Sequence, residues 1–419
     1  MNPANDYAAV RGGLREKIME RIDFSRKVPD SEVLDMIDEY ITGGKAAGVS
    51  ALTVEEKKKL RQELFHSIRR LDILQDLLED PGITEIMVNG PDCIFIEKAG
   101  ELRPYHASFS SAEKLEDVIQ QIVGASNRVV NTASPIVDCR LPSGDRVNVV
   151  LQPVAVNGPI LTIRRFPEKP ITIEDLLRYE SLNEEIADFL KRCVRAGLNI
   201  FVSGGTGSGK TTFLNVMADF IEPRERVITI EDNAELQIRN VPNLVRLEAR
   251  NANVEGCRPI SIRDLIKSSL RMRPDRIIVG EVRGAEAIDM IQAMNTGHDG
   301  SMSTGHANSA ADILSRLETM ILMGMELPLS AIRGQLASGI DLIVHLCRFR
   351  DRSRKVQEIA EVTGTQNGQI TLSTLYRFRE TGEKNGRIIG DWQKENALTH
   401  TYKFEMAGIP VGTGNPLLS

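Results

Sequence analysis

The chain has no uninterrupted apolar run approaching the ~20 residues that span a bilayer. Its first fifteen residues mix Asn, Asp, Arg and Gly and hold no apolar core of the kind a secretory leader needs. The five cysteines, Cys93, Cys139, Cys193, Cys257 and Cys347, are scattered, odd in number and never spaced C-x-x-C. That pattern excludes a disulfide framework and a zinc knuckle, and it points to a reducing compartment. Basic excess is lacking too: a net charge of -6 and a pI near 5.7 give no electrostatic footprint for nucleic acid as an obligate partner. The expectation is a cytoplasmic protein whose membrane association is peripheral and comes through partners. A hydrophobic content of 41% with 26% charged residues is that of a globular chain, and 419 residues are too many for one core, so two or three domains are expected.

What is present is organised around Phe201-Val-Ser-Gly204-Gly205-Thr206-Gly207-Ser208-Gly209-Lys210-Thr211-Thr212. Gly204 to Thr211 matches G-x-x-x-x-G-K-[ST], with a buried-strand pattern before it (Asn199 to Ser203) and a helical one after it (Phe213 to Phe220). Glycines let main-chain N-H groups converge on an anion, and the following helix adds its positive end. Lys210 is then placed to reach β and γ phosphates, and Thr211 to give a hydroxyl to the Mg²⁺ that bridges them. The bland alternative is a glycine-rich turn that binds nothing, which the strand and helix on either side argue against.

Residues 1–79 read as a helical bundle, with Val33, Leu34, Ile37 and Ile41 on one face and a capping box, Thr53-Val-Glu-Glu56, opening a long helix. Its role is either a packing appendage or a docking surface. Residues 80–166 alternate short strands around one helix, Ser111 to Val123, as an α+β domain. The linker is 167–172, pinned by Pro167 and Pro170. Strand and helix signals alternate over 173–362, the rhythm of a doubly wound α/β domain with a mainly parallel sheet. Residues 363–419 form a C-terminal extension with hairpin-like runs and no nameable chemistry.

Cleaving a phosphoanhydride needs an acid near Mg²⁺ and a group that orients water, presented from strand ends beside the loop. Val227 to Glu231 and Arg276 to Glu281 are apolar runs that stop at carboxylates, and an unpaired carboxylate inside such a sheet would be costly. Glu281 is the first candidate for polarising water or closing the Mg²⁺ shell, and Glu231 the second. The bland alternative for either one alone is a solvated strand end. His298 and His306 fall in Gly/Ser/Thr-rich segments expected to be loops, and are read as γ-phosphate sensors or orienters rather than metal ligands.

The order of the phosphate loop, Ile230-Glu231-Asp232, Arg271 to Asp275 leading to Glu281-Val-Arg283-Gly, Asn295-Thr-Gly-His298 and His306-Ala-Asn308 resembles the secretion and type IV pilus superfamily of ATPases. Within it the chain is most similar to the tight-adherence (Tad/Flp) pilus assembly ATPases, from about Asp76 to Thr363. The resemblance implies a P-loop (RecA-like) core, ATP and Mg as cofactors, and Gly204 to Thr212 as the nucleotide cradle with Thr211 and Glu281 on Mg. It makes Glu231 the acidic-box residue, Glu281 the Walker B glutamate, and His298 and His306 the histidine box. It also implies a homohexamer in which Arg140, Arg146 and Arg164 of the preceding domain reach the phosphates, docked on inner-membrane pilus or secretion platform proteins. The implied function is assembly, or retraction, of Tad/Flp-type pili or related protein secretion. A type IV secretion or conjugation ATPase and a non-hydrolysing nucleotide-binding regulator are the alternatives. The chain departs from the family's pattern at Gly305, where an apolar residue is usual before the histidine, and in the tail beyond Thr363.

Overall fold

The computed structural model describes residues 3–23, 26, 28–43, 49–98, 100–166, 169–250 and 258–411. Cys257 and the linker residues Pro167 and Glu168 lie outside them. The chain divides into two compact units, Met1–Glu168 and Lys169–Ser419.

The first unit opens with helices α1 (Pro3–Arg21), α2 (Asp30–Thr42), α3 (Val54–Arg69) and α4 (Ile73–Glu79). The capping box forms as expected: Glu56 N donates to Thr53 Oγ1 at 3.2 Å, and Thr53 N donates to Glu56 Oε2 at 2.8 Å. Leu14, Ile18, Val33, Ile37, Leu60 and Leu64 close a core between the first three helices. Strands β1 (Ile83–Asn89), β2 (Ile94–Lys98) and β3 (Glu101–Tyr105), helix α5 (Ala112–Ala125), and strands β4 (Ile136–Arg140), β5 (Arg146–Val150) and β6 (Ile160–Arg164) follow. They form an antiparallel sheet in the order β3-β2-β1-β6-β5-β4, covered by Leu115, Val118, Ile119 and Ile122 of α5. β3 was not anticipated, because this edge strand buries too little to carry an apolar alternation.

The second unit contains α6 (Ile173–Arg178), α7 (Glu184–Arg195), β7 (Ile200–Gly204), α8 (Lys210–Ala218), β8 (Arg226–Glu231), β9 (Asn243–Glu248), α9 (Ile262–Ser269), β10 (Arg276–Val279) and α10 (Ala287–Asn295). It continues through β11 (Met302–His306), α11 (Ala310–Gly324), α12 (Leu329–Gly339), β12 (Leu342–Arg348), β13 (Arg354–Gln366), β14 (Gln369–Lys384), β15 (Arg387–Lys394) and α13 (Tyr402–Ala407). The strands make one sheet, β15-β14-β13-β12-β7-β11-β10-β8-β9, parallel from β12 to β9 and antiparallel from β12 to β15. Alternate residues of β7 face opposite cores. Ile200 and Val202 pack with Phe189 and Leu190 of α7 and Leu214 of α8, and Phe201 packs with Ile288 of α10 and Ile313 of α11. Helices thus cover both faces, as a doubly wound P-loop fold requires.

One expectation needs correcting. Ser303 to His306 is strand β11 rather than a loop: its hydroxyls replace apolar packing, Ser303 Oγ donating to Val279 O at 2.9 Å and Thr304 Oγ1 to Gly280 O at 2.8 Å. The C-terminal extension packs into the second unit. β13 runs through residue 363, and Leu375, Tyr376 and Phe404 share one core with Ile200 and Val202.

Candidate functional site

The phosphate loop leaves β7 at its C-terminal end and re-enters regular structure at Lys210, the first residue of α8. A Cβ on Gly204 would stand 2.5 Å from both Leu346 O of β12 and Ser208 Oγ, so only glycine fits that close approach. Ser208 Oγ donates to Gly205 O at 2.9 Å, and Lys210 Nζ donates to the same carbonyl at 3.0 Å. Gly205, Thr206 and Gly207 are exposed along the rim, while Thr211 and Thr212 occupy the first turn of α8, half-buried. The first-turn N-H groups have no partner within the helix and carry its positive end.

Lys210 is only 7% exposed, and burial lowers its pKa, partly offset by the Glu281 carboxylate. Its Nζ lies 3.3 Å from Nδ1 of His306, which the pairing of β11 with β7 places opposite Gly204. The other ring nitrogen, Nε2, lies 3.0 Å from Glu281 Oε1. Burial and then the Lys210 charge hold the imidazole below its ordinary pKa, so it is neutral at neutral pH. A neutral ring that accepts from Lys210 at Nδ1 carries its proton on Nε2, facing Glu281. The contact is short but misaligned, and Oε1 remains a buried acceptor without an aligned donor. Oε2 of Glu281 accepts from Arg283 Nη2 at 2.6 Å.

Glu231 ends β8 at 3% exposure. Gly280 makes the room, since a Cβ there would meet Glu231 Cγ at 2.9 Å. Glu231 Oε1 accepts from Glu235 N at 2.8 Å and Leu236 N at 3.0 Å, whereas Oε2 is buried with no hydrogen-bond partner among the described residues. Burial dominates these two bonds and pushes the pKa up to about 7.

The structure therefore brings Lys210, His306 and Glu281 together and sets Glu231 at the neighbouring strand end. It does not bring His298 to them. That residue lies before the first residue of β11, its Nδ1 3.3 Å from Ala293 O of α10, at the opposite end of the strand from His306. A five-residue strand separates the two histidines by on the order of 15 Å.

In the first unit, Arg140, Arg146 and Arg164 are direct partners across β4, β5 and β6, with Glu85 of β1 next in the row. Like charges placed directly opposite on adjacent strands are destabilising unless an anion offsets them. Arg165, on the other face, is structural, donating to Asp80 O at 3.0 Å.

Residues 69–391 match the family described as type II/IV secretion system protein. The chain belongs to that family. Over 310 residues it is 36% identical to a putative conjugal transfer protein of Mycobacterium tuberculosis, covering 73% of this chain and 87% of that one. Over 303 residues it is 33% identical to the type IV secretion system protein VirB11 of Brucella suis biovar 1, covering 66% and 84%. A crystal structure of the pilus retraction motor PilT with bound ADP shares the fold, with a TM-score of 0.51 at 20% identity over 80% of this chain and 84% of that one. Among the described residues of this type II/IV secretion family member, no helix is long and apolar enough to cross a membrane. Sequence reasoning missed Arg348 and Arg354, which also reach the loop. Their only signal was the charge cluster from Arg348 to Lys355.

Proposed function

We propose that the chain is a Mg-ATP-hydrolysing motor of a secretion or pilus machine, acting as a homohexameric ring on inner-membrane platform proteins. The observation that carries this reading is the Lys210, His306 and Glu281 contact chain beside a glycine loop whose Gly204 has no room for a Cβ. The loop amides and Lys210 would hold the phosphates, and Thr211 and Glu281 the Mg²⁺ that accompanies them. The site suits such a guest, because Glu231 Oε2 and Glu281 Oε1 are buried acceptors without aligned donors, fitted to water or a hydrated cation. In hydrolysis the water oxygen bonds to the γ-phosphorus, the bond to the β,γ-bridging oxygen breaks, and ADP leaves. Glu281 orients the water and His306 orients Glu281. Glu231, with its pKa near 7, is matched to take up the water's proton close to neutral pH. His298, away from the loop, acts through the α10–β11 connection rather than on the phosphates. The row Arg140, Arg146 and Arg164 would supply positive charge to the phosphates, a contribution worth roughly 10³ to 10⁵ in rate in phosphoryl-transfer enzymes.

For cargo, the motif order from the phosphate loop to His306-Ala-Asn308 supports assembly or retraction of Tad/Flp-type pili. The names of the relatives, conjugal transfer and type IV secretion proteins, favour a second reading as a conjugation or secretion ATPase. Deleting the gene and scoring surface pili against substrate or DNA transfer separates them. For the chemistry, Glu281→Gln is expected to keep Mg-ATP binding and lose roughly 10²-fold or more in phosphate release, while Lys210→Ala loses binding. Unchanged phosphate release by Glu281→Gln removes that residue from the role. Binding without release by the parent chain makes it a nucleotide-dependent regulator instead.

A further inference from the structure

The turn from β12 to β13 carries arginines at 348, 350, 352 and 354, and two of them meet the phosphate loop. β12 is hydrogen-bonded beside β7, with Leu346 opposite Gly204, so the end of β12 emerges next to the loop. Arg354 Nε donates to Gly207 O at 2.8 Å, and its Cδ stands 3.4 Å from where a Cβ of Gly209 would be. Arg348 approaches the same residue, its Nη1 3.5 Å from the place of a Gly207 Cβ. Arg350 points elsewhere and is engaged by Glu380 and Glu383. Arg348 is exposed, and among the described residues no carboxylate pairs with it. A guanidinium without a counter-charge, held against the one loop whose amides collect anions, suits a phosphate oxygen, for which its planar fork has the right geometry.

We propose that Arg348 contacts the phosphates of the bound nucleotide, supplied by the same chain that supplies the loop. Arg354 positions the loop from its Gly207 carbonyl, so that Arg348 meets a fixed target. The inference rests on the Mg-ATP reading above and adds a cation drawn from the end of β12, outside the loop and outside the arginine row of the first unit.

The test is equilibrium binding of Mg-ATP to the purified full chain and to Arg348→Ala, Arg348→Lys, Arg350→Ala and Lys210→Ala, each checked for an unchanged unfolding temperature. Losing one charge-assisted hydrogen bond predicts roughly 10- to 100-fold weaker binding for Arg348→Ala, with partial recovery in Arg348→Lys. Arg350→Ala, which loses only exposed pairs, stays within about twofold of the parent. If Arg348→Ala also stays within about twofold while Lys210→Ala loses binding, the Arg348 contact is overturned and the loop reading stands. If the parent binds no better than Lys210→Ala, both fall together.

Discussion

At Glu231, burial and hydrogen bonding oppose one another, and burial wins. Two backbone donors satisfy Oε1, yet Oε2 has no partner among the described residues and the pKa rises from 4.5 to about 7. A carboxyl whose folded pKa exceeds its unfolded value adds stability below the unfolded value and loses it as pH rises through the folded one. Stability is therefore expected to fall between about pH 4.5 and 7, by on the order of 3 kcal/mol from this group. Urea denaturation of the parent and Glu231→Gln across that window checks it, and parallel pH profiles would contradict the burial argument. The carboxylates were legible because Glu231 and Glu281 each follow an apolar run, and Lys210 because the loop spacing names it. The distance of His298 from the loop was not legible, because a spacing of eight in sequence does not reveal that a strand intervenes between two histidines. Arg348 and Arg354 were visible only as charge, since nothing local says that β12 lies beside β7 and brings the turn to β13 with it.

Among the elements, β7 and its loop are the most constrained. Leu346 O, which a Cβ on Gly204 would approach at 2.5 Å, belongs to the backbone of an adjacent strand and cannot swing aside as a side chain could. Gly204→Ala is expected to cost roughly 1–3 kcal/mol, read as a lower unfolding temperature, and to weaken nucleotide binding. An alanine variant as stable as the parent would mean that this approach is not tight. In the parallel part of the second unit's sheet, the strands readable in the sequence, β7, β8, β10 and β12, are those buried on both faces, whose continuous apolar runs leave a plain mark. β9 and β3 are edge strands with largely exposed side chains, and β11 is buried through hydroxyls, so neither kind shows the usual pattern.

Over the whole molecule, the tail is tied to the centre of the second unit. Buried Glu361 of β13 accepts from Thr399 N at 3.1 Å and His400 N at 2.7 Å, and Lys403 Nζ lies 2.7 Å from Asp341 Oδ2, which also accepts from Asn199 N just before β7. Phe404 is fully buried in the core that holds β7. Phe404→Ala is expected to destabilise the chain by about 3–5 kcal/mol, measured by chemical denaturation. A loss typical of a surface position would mean that Phe404 adds little to that core. None of this was legible, because the partners lie far apart in sequence and the tail carries no motif.

The strand order also sets a schedule for biosynthesis. Both neighbours of β7, β11 and β12, are encoded after it. A ribosome that has just delivered Gly204 to Thr211 has made the glycine loop with no ladder on either flank. The ladders on either side of the loop therefore close only once β11 and then Leu342–Arg348 have been made.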